Sequence, residues 1–378
     1  MKISDVLKSI KKNTGAVSIM ESPIAKVSDF ISTGSYAINR ILSGNIYNGI
    51  PVGRITTIAG ESQAGKSLLA ANVVIEALKN NKVDYVIYFD TEGGVPVDYI
   101  EQSGVDMDRV QYIPTKSLET CGAKLIETFE NLCKMKDEYD KDPENNELMR
   151  VLVVLDSIGG LSTDKLIADS EKKGVMIPDM GQAAKTRNNL MRGLMMRVPM
   201  SGSTLVIVNH IYDDTNAGMY GVSKIKNMGG GRQIEYSSHV ILQCEKLLIK
   251  SSNEDYQTGM EKSDDKNGFY KGNRLTFFVR KSRIVKPFNQ AQVYLSLEYG
   301  SNKWWDLIEP ATTMGFIEPV RGGYLVPSYS DKKITEKELI TNDAIWKTFI
   351  GEFNKKSEQT LCYKNKMSDE VDKLLGEE

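Results

Sequence analysis

Histidine, cysteine and tryptophan are scarce in this chain of 378 residues, which holds two, four and three of them. Cys121, Cys133, Cys244 and Cys362 are widely spaced, with no Cys-x-x-Cys, and only His210 and His239 accompany them; this argues against a zinc or iron–sulfur site. Long apolar runs are missing too. The longest, such as residues 151–155 and 204–208, are strand-length, well short of the roughly 18 residues that a membrane helix needs. The amino terminus is basic at Lys8, Lys11 and Lys12, but no continuous apolar region or cleavage-like site follows. It does not read as a secretory signal, so a cytoplasmic location is expected. Strong charge of either sign is also absent: 48 Lys and Arg stand against 50 Asp and Glu, a net charge of −2. Nucleic-acid binding, if it occurs, has to come from a local basic surface. What is present is ordinary globular composition, 40% hydrophobic and 26% charged. That excludes a wholly disordered, collagen-like or disulfide-scaffold chain and leaves enough residues for one large domain or two.

Ile3, Val6, Leu7 and Ile10 fall at i, i+3, i+4 and i+7, one apolar stripe on a short helix that Gly15 ends. Residues 16–20 then read as a strand. A small helix and a strand bury little alone, so this arm must dock on something, and another subunit is a candidate. From Ile55 buried strands alternate with helices: strands at 55–59, 85–89, 151–155 and 204–208, helices at 66–79, 121–133 and 182–198, the last closed by Pro199. Alternation of this kind predicts an α/β fold, a mostly parallel central sheet flanked by helices. Later strands near 239–243, 275–279 and 292–297 lack long helical crossovers and are expected to be antiparallel additions. Residues 251–272, polar and weakly periodic, read as a mobile hairpin loop. After Pro310 the elements shorten, and the last eleven residues hold Asp369, Glu370, Asp372, Glu377 and Glu378 against Lys373. The organisation expected is an arm at 1–30, a core at 31–310, a small carboxy-terminal region at 311–367 and an acidic tail at 368–378.

Gly60-Glu61-Ser62-Gln63-Ala64-Gly65-Lys66-Ser67 has the P-loop spacing, follows the strand at 55–59 and opens the helix at Lys66. The glycines permit a tight turn whose N–H groups surround phosphates, and the helix amino terminus adds its positive dipole end. With Leu68, these are the candidate nucleotide-binding residues; Lys66 is placed to hold the β and γ oxygens and Ser67 to hold Mg²⁺. Asp156 ends the run 151–155, the Walker B arrangement, in which a buried strand delivers one carboxylate to the metal. Taken alone, such an aspartate is also a common helix cap or turn residue. Glu92, in Phe89-Asp90-Thr91-Glu92-Gly93-Gly94, lies just past a strand end where it can orient water, although spacing alone equally suits an exposed loop glutamate.

The order and context of Ser18-Ile19-Met20, residues 31–35, Gly53-Arg54-Ile55, the P-loop, Asp90-Thr91-Glu92, Gly104-Val105-Asp106, Leu155-Asp156-Ser157 and residues 287–291 resemble the RecA-type recombinases from about Gly15 to Pro319. Residues 208–212 and 228–231 are most similar to the tailed-phage (UvsX) branch. The resemblance implies a RecA-like P-loop ATPase core, a RecA-type fold with added antiparallel strands, that uses ATP and Mg²⁺. It implies that Glu92 activates the attacking water, that Tyr99 stacks on adenine, and that Lys281 and Arg283 reach the γ-phosphate of the neighbouring subunit. Two cations at i and i+2 share a strand face and can point at one anion, though a solvated strand face has the same pattern. Bacterial members usually carry Lys where Arg283 stands and Gln where His210 stands; His210 matches the γ-phosphate sensor, with a strand-capping histidine as the alternative.

The resemblance also places DNA-binding loops at about 162–178 and 212–233. From Lys165 to Arg232 there are ten basic and five acidic residues, a surplus of five in a chain near −2. Lys172, Lys173, Arg187, Lys224, Lys226 and Arg232 are the candidate phosphate contacts, and Gly229-Gly230-Gly231 allows close backbone approach. Met176, like Ile177, Met219 and Tyr220, is a candidate wedge between bases, or equally a loop side chain on its own core. The implied function is ATP-dependent homologous pairing and strand exchange by a helical filament, a homo-oligomer on single-stranded DNA. Its implied partners are single-stranded DNA, a homologous duplex, a single-strand-binding protein and a filament-loading mediator, with no membrane involved; the acidic tail would compete for the basic surface or simply be solvated. The location is then the cytoplasm, that of the host if phage-encoded. A ring-forming RecA-core helicase and a non-hydrolysing DNA-binding adaptor are the alternatives.

Overall fold

Every residue of Val151–Asp156 and of Ile55–Gly60 is buried, which requires cover on both faces of the sheet that holds them. Such cover is what the fold supplies. The structure is a computed structural model that describes residues 3–19, 22, 24–173, 181–212, 227–229, 231–246, 260–262, 270–296 and 300–363.

The main sheet runs in the order Gly300–Ser301, Gln290–Ser296, Tyr270–Ser282, Val240–Lys246, Ile55–Gly60, Thr204–Tyr212, Val151–Asp156, Tyr85–Asp90, Val110–Pro114. The last six of these are mutually parallel, and the first three are antiparallel to their neighbours. Alternation along each strand divides its apolar side chains between the faces. Val151, Val153 and Leu155 pack with Phe129 and Leu132 of helix Leu118–Lys141 and with Met191 and Leu194 of helix Gln182–Ser201. Leu152 and Val154 pack on the other side with Leu69, Val73 and Ala77 of helix Lys66–Lys79. The second core continues without a break into the carboxy-terminal region through Val326, Ile334, Trp346 and Phe353. Trp346 stacks on Trp304 with ring centroids 4.8 Å apart. Each such fully buried large side chain contributes about 1.5–3 kcal/mol.

The sequence expectations need four adjustments. Strand Val240–Lys246 is parallel to Ile55–Gly60 and antiparallel only to Tyr270–Ser282. The chain reaches it by passing over the P-loop strand, and the helix on the way, Arg232–Ser237, is too short for periodicity to reveal a crossover. Pro199 does not close its helix, which continues to Ser201 and stops at Gly202 with φ +70°. A proline in the last turn removes one hydrogen bond, whereas the left-handed glycine reverses the chain. Residues 16–18 form no strand, and Val17 and Ile19 are exposed, as among the described residues no strand pairs with them. Within 251–272, Met260–Lys262 pairs antiparallel with the start of Tyr270–Ser282; the remainder of that segment lies outside the described residues. The amphipathic helix, Ile3–Thr14, forms as expected and buries none of its residues. No helix among the described residues is long and apolar enough to cross a membrane.

Candidate active site

Ile55–Gly60 lies in the middle of the parallel block, so the loop after it opens at the sheet's carboxyl edge between two neighbouring strands. Gly65 there has φ +78°, and a Cβ at Gly60 would fall 2.7 Å from the Cys244 carbonyl oxygen. Both positions need glycine, one for conformation and one for space. Lys66, only 7% exposed, donates from Nζ to the Glu61 carbonyl at 2.6 Å. Burial lowers its pKa, opposed by the charges of Cys244, Asp156, Glu92 and Glu61. Among the described residues it makes no ion pair. A desolvated ammonium satisfied by one carbonyl, beside the free N–H groups of a helix start, suits a phosphate chain. Leu68 lines a small adjoining cavity with Gly65, Asn72, Thr33 and Ser35. Tyr99, half-exposed on helix Val97–Gln102, donates its hydroxyl to Asn72 of the P-loop helix at 2.7 Å.

Asp156 and Asp90 end adjacent strands in register. Asp156 accepts from the Tyr88 hydroxyl at 3.1 Å and from the Ser67 side chain. Burial raises its pKa; the two hydrogen bonds pull the other way, and the Glu92 and Asp90 charges add to the rise. No group of three or more His, Cys, Asp or Glu among the described residues converges to hold a metal alone. One buried carboxylate and one hydroxyl are nevertheless a hard-oxygen pair of the kind that holds Mg²⁺ when phosphates and water complete the shell. The residues present fit that ion.

Glu92 sits on the turn after Tyr85–Asp90. The Asp90 carboxylate accepts the N–H groups of Glu92 at 3.0 Å and of Gly93 at 2.9 Å, and the Tyr112 hydroxyl at 3.0 Å. Oε1 of Glu92 meets the Ser157 hydroxyl and lies 3.0 Å from Nε2 of His210. Burial alone would raise the Glu92 carboxyl, but these hydrogen bonds and the charges of His210 and Lys66 hold it below its ordinary value. It is therefore an ionised acceptor at neutral pH. His210 lies near the end of Thr204–Tyr212, and its carbonyl accepts the Gly229 N–H at 2.9 Å. The neighbouring Asn209 donates to the Gly229 carbonyl at 2.7 Å. A path of direct contacts thus joins Glu92, through His210, to the segment at 212–233.

Lys281 and Arg283 are not brought to this edge. Lys281 is level with Ile241, and the Arg283 N–H donates to the His239 carbonyl beside Ile55, at the opposite, amino edge of the parallel strands. From Ile55 to Gly60 is five residues of strand, roughly 17 Å. The two side chains do converge: both donate to the Tyr236 carbonyl, at 3.2 and 3.3 Å, and Lys281 also to that of Glu235. Burial lowers Lys281 to about 8, reinforced by the Arg283 charge and opposed by Glu235. A bulge at Arg280 re-aims this strand end, so simple alternation does not set the directions here.

Of the DNA-contact candidates, Lys172 is exposed on helix Asp164–Lys173, and Arg232 is exposed at the start of its helix. Lys173 ends the former helix. Gly231 has φ +88° and Gly229 is tied to Asn209 and His210. The Arg187 guanidinium donates to the carbonyls of Ile158, Gly159 and Leu161 at 3.1, 3.3 and 2.6 Å, fixing the turn after Asp156. Met176, Ile177, Met219, Tyr220, Lys224, Lys226 and Gly230 lie outside the described residues, as does the acidic tail. Sequence reading passed over Asp90, Ser157, Tyr88 and Asn209. Asp90 and Ser157 stood in motifs beside Glu92 and Asp156 without a role of their own, and each of the four lies in or beside a strand that carries a named residue.

A P-loop on the central strand of a parallel sheet, with carboxylates at the ends of the next strands, defines an α/β nucleotide-binding protein of the P-loop class. Within that class the chain belongs to the RecA N-terminal domain family, which matches residues 1–302. It is 30% identical to Protein RecA of Aquifex aeolicus (strain VF5) over 331 residues, 87% of this chain and 83% of that protein. Protein RecA of Helicobacter acinonychis (strain Sheeba) is 25% identical over 335 residues, 88% and 84% of the two chains. The Recombination and repair protein of Enterobacteria phage T4 is 24% identical over 319 residues, 84% and 72%.

Proposed function

We propose that this protein is a DNA-stimulated ATPase that forms a helical filament on single-stranded DNA and catalyses homologous pairing and strand exchange. Family membership supports recombination, and the kinship to a phage recombination and repair protein agrees with it. The observation that carries the mechanism is the division of the site between two sheet edges. Lys66, Ser67, Asp156 and Glu92 gather at the carboxyl edge, and Lys281 and Arg283 gather at the amino edge of the same chain. One copy cannot close them on one phosphate; two copies stacked edge to edge can.

In this reading the P-loop N–H groups and Lys66 bind the triphosphate, and Tyr99 lies along the base. Ser67 and Asp156 would hold Mg²⁺, which when bound would neutralise charge at the phosphate oxygens. Glu92 orients the attacking water and accepts its proton, while Lys281 and Arg283 of the next copy stabilise charge on the departing phosphate. His210 senses that phosphate and passes its state through Gly229 to the DNA-binding segment at 212–233. That segment and the one at 162–178 hold DNA through Lys172, Lys173, Lys224, Lys226, Arg232 and the glycines 229–231, with Met176 between bases, whereas Arg187, expected to contact phosphate, serves the turn after Asp156 instead. The arm at 1–30 joins neighbouring copies, the region at 311–367 completes the fold, and a single-strand-binding protein and a loading mediator act with it in the cytoplasm.

Steady-state ATP hydrolysis with and without linear single-stranded DNA tests the proposal, with Glu92→Gln as the control. DNA stimulation that vanishes in the variant is the expected result. DNA binding without turnover in either protein would make the chain an adaptor and remove Glu92 from catalysis.

A further inference from the structure

The turn that carries Glu92 and the turn that carries Asp156 are locked together by a set of hydrogen bonds that the mechanism above does not use. The Thr91 N–H donates to the Asp156 carbonyl at 2.9 Å. The Thr91 hydroxyl donates to the Ser157 carbonyl and accepts the Ser157 N–H, both at 2.9 Å. Ser157, fully buried, is left with one hydroxyl proton, and that proton is directed at Oε1 of Glu92. The same oxygen faces Nε2 of His210. Two partners on one carboxylate oxygen anchor the group at that end and fix the plane in which the other oxygen, Oε2, is presented. Gly160 makes room for the arrangement: a Cβ there would sit 3.3 Å from Oε1 and 3.8 Å from the Ser157 hydroxyl oxygen.

We propose that Ser157 is a positioning residue for Glu92, holding Oε1 so that Oε2 faces the attacking water. The inference rests on the catalytic reading of Glu92. His210 is tied through Gly229 to the segment proposed to hold DNA, so its contact with Oε1 is the one open to change with DNA state. The Ser157 contact is set by the Thr91 lock inside the core and stays constant. Glu92 is therefore aimed by one fixed hydrogen bond and tuned by one variable one. Misplacing a general base by a fraction of an ångström lowers the rate of the chemical step without weakening nucleotide binding.

The test is the full chain with saturating linear single-stranded DNA, comparing the native protein, Ser157→Ala, Ser157→Thr, Glu92→Gln and the double variant Ser157→Ala/Glu92→Gln. Ser157→Ala is expected to lower kcat about tenfold with KM for ATP changed less than about twofold. Ser157→Thr, which keeps the hydroxyl, should recover most of the loss; if the added methyl prevents folding, Ser157→Cys, with its weaker donor, should fall between Ser and Ala. The double variant should be no slower than Glu92→Gln. Native kcat in Ser157→Ala, a rise in KM that accounts for the loss, or a further loss in the double variant would each overturn the proposal while leaving Glu92 in place. Full activity in Glu92→Gln would instead overturn the role of Glu92 and that of Ser157 with it.

Discussion

The two edges of the main sheet are built in different ways. At the carboxyl edge nearly every polar group is tied to another side chain or turn of the same chain: Asp90 to the Glu92 turn and Tyr112, Asp156 to Tyr88 and Ser67, Glu92 to Ser157 and His210. At the amino edge Lys281 and Arg283 rest on backbone carbonyls at the end of helix Arg232–Ser237, and among the described residues no carboxylate pairs with either one. The first edge is pre-organised, and the second is a pair of cations that an incoming anion can draw away. Assembly can therefore act at the second edge. In the proposed filament the adaptable edge of one copy brings its two cations to the triphosphate held at the rigid edge of the next.

Separating the edges genetically should have the largest effect. Glu92→Gln alone and Lys281→Ala/Arg283→Ala alone should each lose about 10²-fold or more in DNA-stimulated turnover. An equimolar mixture should recover about a quarter of native activity, because one interface in four then joins two intact edges. No recovery would mean that the two edges do not form one site.

The arm sharpens the comparison next. Leu7→Asp falls on helix Ile3–Thr14, which buries nothing, so stability should change by less than about 0.5 kcal/mol while filament assembly on DNA is lost. Thermal melting and light scattering read the two effects separately. A large fall in melting temperature would show that the arm packs on its own chain.

Proton linkage provides a finer test. Lys281 lies near 8, well below an ordinary lysine, so it is charged below that pH and neutral above it. Between pH 8 and 9 the charged fraction falls about fivefold, from about one half to about a tenth, and the protein concentration needed for half-maximal turnover should rise by about that factor. Lys281→Arg should remove this dependence. The smallest effect expected is that of Gly160→Ala, whose Cβ would press on Oε1 of Glu92 at 3.3 Å. A few-fold loss in kcat, with nucleotide affinity kept, is the outcome to measure.

Much of the rigid edge was legible in the sequence. Buried strands announce themselves by composition, and the P-loop, Asp156 and Glu92 stand at fixed distances from strand ends that local patterning marks. The strands at 55–60, 85–90 and 151–156 appeared within a residue of their expected bounds. What escaped depends on pairings between distant segments. Val240–Lys246 is parallel because of where the chain returns, which six residues of helix do not advertise. Ser157 and Thr91 are short polar residues whose significance lies in a partner 65 or 66 positions away. Arg187 counted as surface charge, yet its guanidinium has three carbonyls of its own chain to serve.

In the proposed assembly, half-sites on opposite edges also give any stack of this chain a direction and two unequal ends. A row of n copies contains n − 1 complete sites. The copy at one end keeps a loaded triphosphate with no cations from a neighbour, and the copy at the other end keeps cations with no triphosphate to meet. Turnover per copy therefore rises with the length of the row, steeply for short rows and hardly at all for long ones. Under the proposed mechanism the rate per copy becomes a measure of row length.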